Sequence, residues 1–369
     1  MKRRTFVGSA ALGAASATAL GACNQTDQGP ATQASSLPRV EWRMATSWPE
    51  SLDTIYGGAE DISRRVSAMT DGRFQIHPFA SGEIVPGDQV LTAVQSGTVE
   101  CGHTASYYYI GKNPALAFGT AVPFGLTAQQ QDAWLYEGGG LEAMQKLYAD
   151  FNIVNFPAGN TGAQMGGWFN REVSTVSDLE GLKMRIPGLG GKVMSQLGVN
   201  TQVLPGGEVY LALDRGAVDA AEWVGPYDDK KLGLNEAAPF YYYPGWWEPG
   251  ATLEAQVNRS AWQQLPQQYQ EIFKTAAREA NLNMLAKYDA RNQKALQSLL
   301  EGGTELKAYS DEILKAAQEA AFSLYEDNAR QDGTFKQIYQ QWQQFRRQVV
   351  QWHQTNQLSF QRFVGEMIA

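Results

Sequence analysis

Residues 40–47, VEWRMATS, alternate apolar and polar side chains, the pattern of a strand with one buried face. Ala59, Ile62, Val66 and Met69 then recur at three- and four-residue steps and predict a helix over 57–69. Asp71-Gly72 is a turn signal, followed by a predicted strand at 74–79, a short helix at 87–96 and a strand at 99–104. That order predicts an α/β layer of parallel strands joined by helices. A second unit repeats it, with predicted strands at 153–158, 164–169, 182–186, 201–204 and 218–223 and helices at 190–197 and 209–215. Two such units imply a cleft between them. Residues 266–300 carry Tyr269, Ile272, Phe273, Ala276, Ala280, Met284 and Tyr288 on one helical face, long enough to run across both units. A final helix bears one aromatic stripe (Phe335, Ile338, Tyr339, Trp342, Phe345, Val349, Trp352) opposite a Gln-rich face. The stripe docks within the chain or packs against another subunit.

Composition narrows the picture. The 369 residues suggest about two domains. Residues 1–23, MKRRTFVGSAALGAASATALGAC, combine Arg3-Arg4 with a weakly apolar Ala/Gly/Leu run and Leu20-Gly21-Ala22-Cys23. This reads as a twin-arginine export signal ending in a lipobox, so the mature chain is expected to start at Cys23, acylated there, on the outer side of a membrane. Losing Lys2, Arg3 and Arg4 takes the net charge from −8 to −11, which argues against a nucleic-acid partner. Cys101 then remains alone, with no internal disulfide to form. Residues 24–37 are polar and read as a tether.

Four stretches offer chemistry. Lys183-Met184-Arg185-Ile186 sets an arginine in an apolar strand, either as a structural ion pair or as a bidentate grip on a carboxylate. Ala221-Glu222-Trp223-Val224-Gly225-Pro226 ends a strand with a carboxylate that either ligates a hard cation or caps a turn. Residues 159–167, GNTGAQMGG, supply the amides Asn160 and Gln164 on a crossover or an ordinary loop. Trp246-Trp247-Glu248 is core or the apolar wall of a cleft. The three histidines, His77, His103 and His353, lack metal-ligand spacing, and no nucleophile elbow, P-loop or dinucleotide fingerprint is present. Binding is favoured over catalysis.

The segments SWPESLDTIYGGAE, ASGEIVPG, AVQSGTVECGHTASYYYIGK, GNTGAQMGGWF, DLEGLKMRIPG, DAAEWVGPYDDKKLG and YYYPGWWE together resemble the extracytoplasmic solute-binding proteins of TRAP transporters, the DctP-type family, in its branch that binds 2-oxo acids such as pyruvate. The likeness spans essentially the whole mature chain. It implies a two-lobed α/β periplasmic-binding-protein-like fold with a long connecting helix and a C-terminal helical extension. The expected parts are a signal at 1–22, a tether at 23–37, one lobe from 38–159 plus 249–290, a second from 160–248 plus 291–325, and a dimerising C-terminal helix at 326–369. By the resemblance, Arg185 binds the ligand carboxylate, while Asn160 and Tyr108, preferred within the run 107–109, hydrogen-bond its oxygens. Gln164, Glu222, the backbone carbonyl of Trp223 and Glu248 hold a cation, sodium or else calcium. The implied function is capture of a small 2-oxo or 2-hydroxy monocarboxylate for a TRAP-type permease, by a homodimer with exchanged C-terminal helices. A ligand-sensing receptor and a dicarboxylate-binding member are the alternatives.

Overall fold

The computed structural model describes residues 37–368; the predicted signal, Cys23 and the tether lie outside them. Among the described residues, eleven strands form two sheets. They are β1 (Val40–Thr46), β2 (Phe74–Phe79), β3 (Cys101–Thr104), β4 (Ile153–Asn160), β5 (Trp168–Phe169), β6 (Lys183–Arg185), β7 (Asn200–Gln202), β8 (Ala220–Ala221), β9 (Phe240–Tyr243), β10 (Thr252–Asn258) and β11 (Glu305–Ala308). The first sheet runs β2-β1-β3-β10-β4 and the second β11-β9-β5-β8-β6-β7.

The predicted parallel units are present as β1 with β2 and β3, and as β6 with β7 and β8. Neither sheet is wholly parallel. β10 enters the first antiparallel to β3 and β4, and β5 joins the second antiparallel to β8 and β9. The predicted strand 164–169 shrinks to Trp168–Phe169, because Gly162 and Gly167 take φ of +70° and +83°, which breaks an extended run. The predicted strand 218–223 keeps only Ala220–Ala221. Beyond it the amides of Val224 and Gly225 turn to a side chain, the Asp229 carboxylate.

The chain crosses between the sheets three times. Residues 161–167 lead from β4 to β5, residues 244–251 return from β9 to β10, and the helices Arg259–Gln264 and Gln267–Glu301 lead to β11. The 35-residue helix Gln267–Glu301 packs on β4 and the helix Tyr56–Met69 of the first sheet's layer, and on the helix Pro226–Lys231 beside the second, as the pattern predicted. Two further helices, Asp311–Gln331 and Gly333–His353, are punctuated by caps. Ser310 accepts from the Ile313 amide at 3.3 Å and Asp332 from the Phe335 amide at 2.7 Å.

The C-terminal stripe divides. Phe335, Ile338, Tyr339 and Trp342 are buried, with Trp342 against Phe118 and Tyr325. Each such side chain stabilises by about 1.5–3 kcal/mol. Further on, Trp352, Leu358, Phe360, Phe363 and Met367 stand exposed, Phe360 by 66 % and Phe363 by 64 %.

Candidate functional site

The ends of strands from both sheets meet the two loop crossings. Arg185 closes β6, Glu222 and Trp223 follow β8, the helical turn Ser106–Tyr109 follows β3, and Asn160 closes β4. Gln164 lies on the first crossing and Glu248 on the second. Backbone bonds tie these loops together: Gln164 N donates to Glu248 O at 3.1 Å, Met165 N to Val224 O at 3.1 Å, and Glu222 N to Arg185 O at 3.2 Å. Carboxyl ends of strands opening on a crevice are where α/β proteins hold ligands.

Arg185 is 1 % exposed and ion-paired with Glu222, equally buried. Its Nη1 donates to the Glu222 side chain and, at 2.8 Å, to the Glu222 carbonyl; its Nε donates to the Leu204 carbonyl at 3.2 Å. The Trp223 ring lies 5.0 Å from the guanidinium carbon, and that ring rests on Gly206, where a Cβ would come within 2.4 Å of it. The structure thus contains the ion pair that the sequence left as one of two readings of Arg185.

The acceptors around this pair are short of donors. Gln164 Oε1, Glu222 Oε2 and Glu248 Oε2 are buried without a hydrogen-bond partner. An unpaired buried polar atom costs about 1–3 kcal/mol, and more when charged. Burial pushes the Glu222 carboxyl up to about 7, helped by the Asp229 charge and opposed by Arg185. Burial and then the Glu222 charge hold Glu248 well above the carboxylate range, against pulls from Tyr107, Arg185 and Gln164. Arg185 pairs with Glu222, and a cation beside the two carboxyls would favour their ionised forms. An amide oxygen and two carboxylates, with the Trp223 carbonyl free of hydrogen bonds among the described residues, make a hard-oxygen set that fits sodium or calcium. Among the described residues no group of three His, Cys, Asp or Glu is placed for a metal, so this set rests on the amide and the backbone carbonyl beside its two carboxylates.

Other expected residues fall out differently. Asn160 spends its carbonyl on the Gly162 amide at 2.8 Å and one N–H on Thr252 Oγ1 at 3.1 Å, leaving one N–H. The tyrosine run divides. Tyr109 is structural, its hydroxyl accepting from the Leu91 amide and pairing with Thr104. Tyr108 faces Arg185, its hydroxyl raised to about 12 by burial. Tyr107, the alternative to Tyr108 within the run, reaches Glu248 and lies against Gly188, where φ is +65°. The Nε1 groups of Trp223 and Trp247 are buried without acceptors. Asp229, which sequence reasoning missed, sits behind Glu222. The DDKK run reads as a solvated helix start, since adjacent acids seldom both bury, and here both do.

A two-lobed α/β fold whose strand ends converge on a buried arginine is that of a solute-binding protein. The model of the DctP family, bacterial extracellular solute-binding protein family 7, matches residues 44–332, and the chain belongs to that family. The chain is 65 % identical over 365 residues, 99 % of both chains, to a monocarboxylate 2-oxoacid-binding periplasmic protein of Nostoc sp. strain PCC 7120. A TRAP transporter solute-binding protein from Bordetella bronchiseptica RB50 superposes with a TM-score of 0.89 at 46 % identity, covering 90 % of this chain and 98 % of that one. It is a mixed-occupancy dimer with calcium and picolinate in one site and the other site apo. Another, from Pseudoalteromonas atlantica T6c, holds sodium and pyruvate; it superposes with a TM-score of 0.85 at 35 % identity, covering 88 % and 99 %.

Proposed function

We propose that this protein captures a small 2-oxo or 2-hydroxy monocarboxylate such as pyruvate, together with a metal cation, between its two lobes and delivers it to a TRAP-type membrane permease. The observation that carries the reading is one buried guanidinium beside three buried oxygens that lack donors, on Gln164, Glu222 and Glu248. Arg185 binds the ligand carboxylate, and Tyr108 and the remaining Asn160 N–H hydrogen-bond its oxygens. Gln164, Glu222, Glu248 and the Trp223 carbonyl hold the cation. The cation, sodium or calcium, supplies a Lewis-acid anchor for a carboxylate oxygen and the adjacent 2-oxo oxygen together. Picolinate and pyruvate, named with the two related structures, share that feature: a second donor atom on the carbon next to the carboxylate. Trp223 and Trp247, both buried, exclude water and strengthen each charge contact.

The reading assigns residues 38–159 with 249–290 to one lobe and 160–248 with 291–325 to the other, closed by a ligand-driven shift in population. It makes the protein a binding protein; turnover of the bound acid, followed by NMR, overturns that. Phe360, Phe363 and Met367, exposed on the last helix, mark where a second copy packs to form the homodimer. An acylated Cys23 tethers the protein on the periplasmic side of the membrane. Cys23→Ala is expected to release it, and retention in the membrane fraction refutes the tether.

The test is a thermal-shift and calorimetric panel of small carboxylates on dialysed, chelator-treated protein. Pyruvate with sodium or calcium raises stability, by about 2.7 kcal/mol at 100-fold over Kd. A shift with dicarboxylates only, or one indifferent to the cation, refutes the cation site.

A further inference from the structure

Behind the cleft, Asp229 is buried and accepts four hydrogen bonds. Its Oδ1 takes the amides of Val224 at 3.1 Å and Gly225 at 3.0 Å. Its Oδ2 takes the Trp168 indole N–H at 3.0 Å and the Tyr241 hydroxyl at 2.7 Å. Trp168 and Tyr241 belong to the neighbouring strands β5 and β9 and stack at 4.0 Å, so the carboxylate is anchored to the middle of the second sheet.

The two amides it grips lie immediately after Glu222-Trp223. In a trans peptide the C=O and the following N–H point in opposite directions. Binding Val224 N–H therefore turns the Trp223 carbonyl away from Asp229. The next peptide shows where that side lies, because Gly225 N–H also meets Oδ1 and the Val224 carbonyl accepts from Met165 N, one residue past Gln164. No other carboxylate in the described residues holds this turn, and Asp229 adds a second negative charge behind Glu222.

We infer that Asp229 is the positioning residue of the cation site: it aims the Trp223 carbonyl into the cleft and sets a fixed negative charge behind the ligating oxygens. This rests on the cation-binding reading above. Partners behind a metal's direct ligands are typically worth 10–100-fold in metal affinity. The electrostatic part scales with ion charge, so it favours calcium over sodium.

The experiment titrates Ca2+ and Na+ by calorimetry into chelator-treated protein, with and without saturating pyruvate. Wild type, Asp229→Asn and Tyr241→Phe are compared, and the urea midpoint of each is recorded. In Asp229→Asn the amide oxygen can still accept from Val224 and Gly225, so the turn persists while the charge is gone and the Trp168 N–H loses its acceptor, a loss the urea midpoint reads. Its affinity is expected to fall by about 10–100-fold for calcium and by less for sodium. Tyr241→Phe, which keeps every bond from Asp229 to the turn, is expected to stay within a few-fold of wild type. A purely structural role lowers both cation affinities by one common factor in step with the urea midpoint, and that result overturns the inference. So does unchanged calcium affinity in Asp229→Asn. Should Asp229→Asn not fold, Asp229→Ser, which likewise removes the charge, must lower calcium affinity by more than sodium affinity, and an equal fall overturns it. Cation-independent pyruvate binding in wild type itself overturns the cation reading, and this inference with it, and is told apart because it appears without any substitution.

Discussion

Replacing Arg185 by methionine removes the cleft's guanidinium while keeping much of its volume. Arg185 and Glu222 are each 1 % exposed, so the remaining carboxylate has no access to water, and breaking a buried pair from one side costs about 3–5 kcal/mol. Two charge-assisted bonds from Nη1 and one from Nε to the Leu204 carbonyl are lost with it. The cost depends on pH with a definite sign. Glu222 titrates near 7 in the folded protein, above its ordinary value, so its proton is held on folding and the stability this confers is lost as pH rises through 7. Without Arg185 that value climbs further. The penalty is therefore largest above pH 8, where the buried carboxylate is ionised in wild type and strained toward protonation in the variant. It narrows below pH 6, where Glu222 is neutral in both. The assay is urea unfolding of the two cation-free proteins at pH 6 and pH 8.5, with pyruvate titration at each. An unfolding energy within 1 kcal/mol of wild type at pH 8.5, or pyruvate affinity retained in the variant, refutes the reasoning.

Glu254 is buried on β10 with Tyr148, Asn155 and Gln256 as donors, and burial lifts it to about 7. The folded state keeps a proton that the unfolded chain sheds, so this group lowers stability by roughly 3 kcal/mol as pH rises from 4.5 to 7. Glu254→Gln is expected to flatten urea midpoints measured across that range, and parallel profiles for the two proteins contradict this. Gly206→Ala drives a Cβ to within 2.4 Å of the Trp223 ring and is expected to cost about 1–3 kcal/mol, weakening pyruvate binding together with a change in tryptophan fluorescence. Unaltered fluorescence and affinity show that the ring has room to move. Phe360→Asp with Phe363→Asp is expected to convert the proposed dimer to a monomer by light scattering without moving the ligand-free melting midpoint of the body; a dimer that persists refutes the contact.

Sequence pattern reached the units around β1–β3 and β6–β8 because β1 and β2 mix buried and exposed positions, while the short buried runs of β3 and β8 lie between turn signals and helices with a 3.6-residue period. β10 escaped it. All seven of its residues are buried, including Glu254, Gln256 and Asn258, so no alternation marks it, and its acid reads as a surface residue. β9 was hidden in the aromatic run 240–247, which is apolar throughout. At the cleft, Arg185, Glu222 and Gln164 stood out as polar groups at the ends of apolar segments. Asp229 did not, and the run 107–109 did not say which tyrosine meets Glu248, because what matters is which backbone turn or carboxylate each meets, and that depends on contacts between loops distant in sequence.

Gln164 and Glu248 lie on the two loop crossings by which the chain passes between its sheets, joined there by the bond from Gln164 N to Glu248 O. On the proposed reading the bound ion is then part of the joint as well as its cargo. An ion of larger radius spreads the same two crossings further, so the resting angle of the lobes becomes a property of the ion. Sodium and calcium are nearly equal in radius and potassium is larger, so small-angle scattering profiles of the sodium- and potassium-loaded pyruvate complexes are expected to differ, and identical profiles refute a joint set by its ion. A membrane partner that recognises one angle would thereby distinguish the loaded ions without touching them.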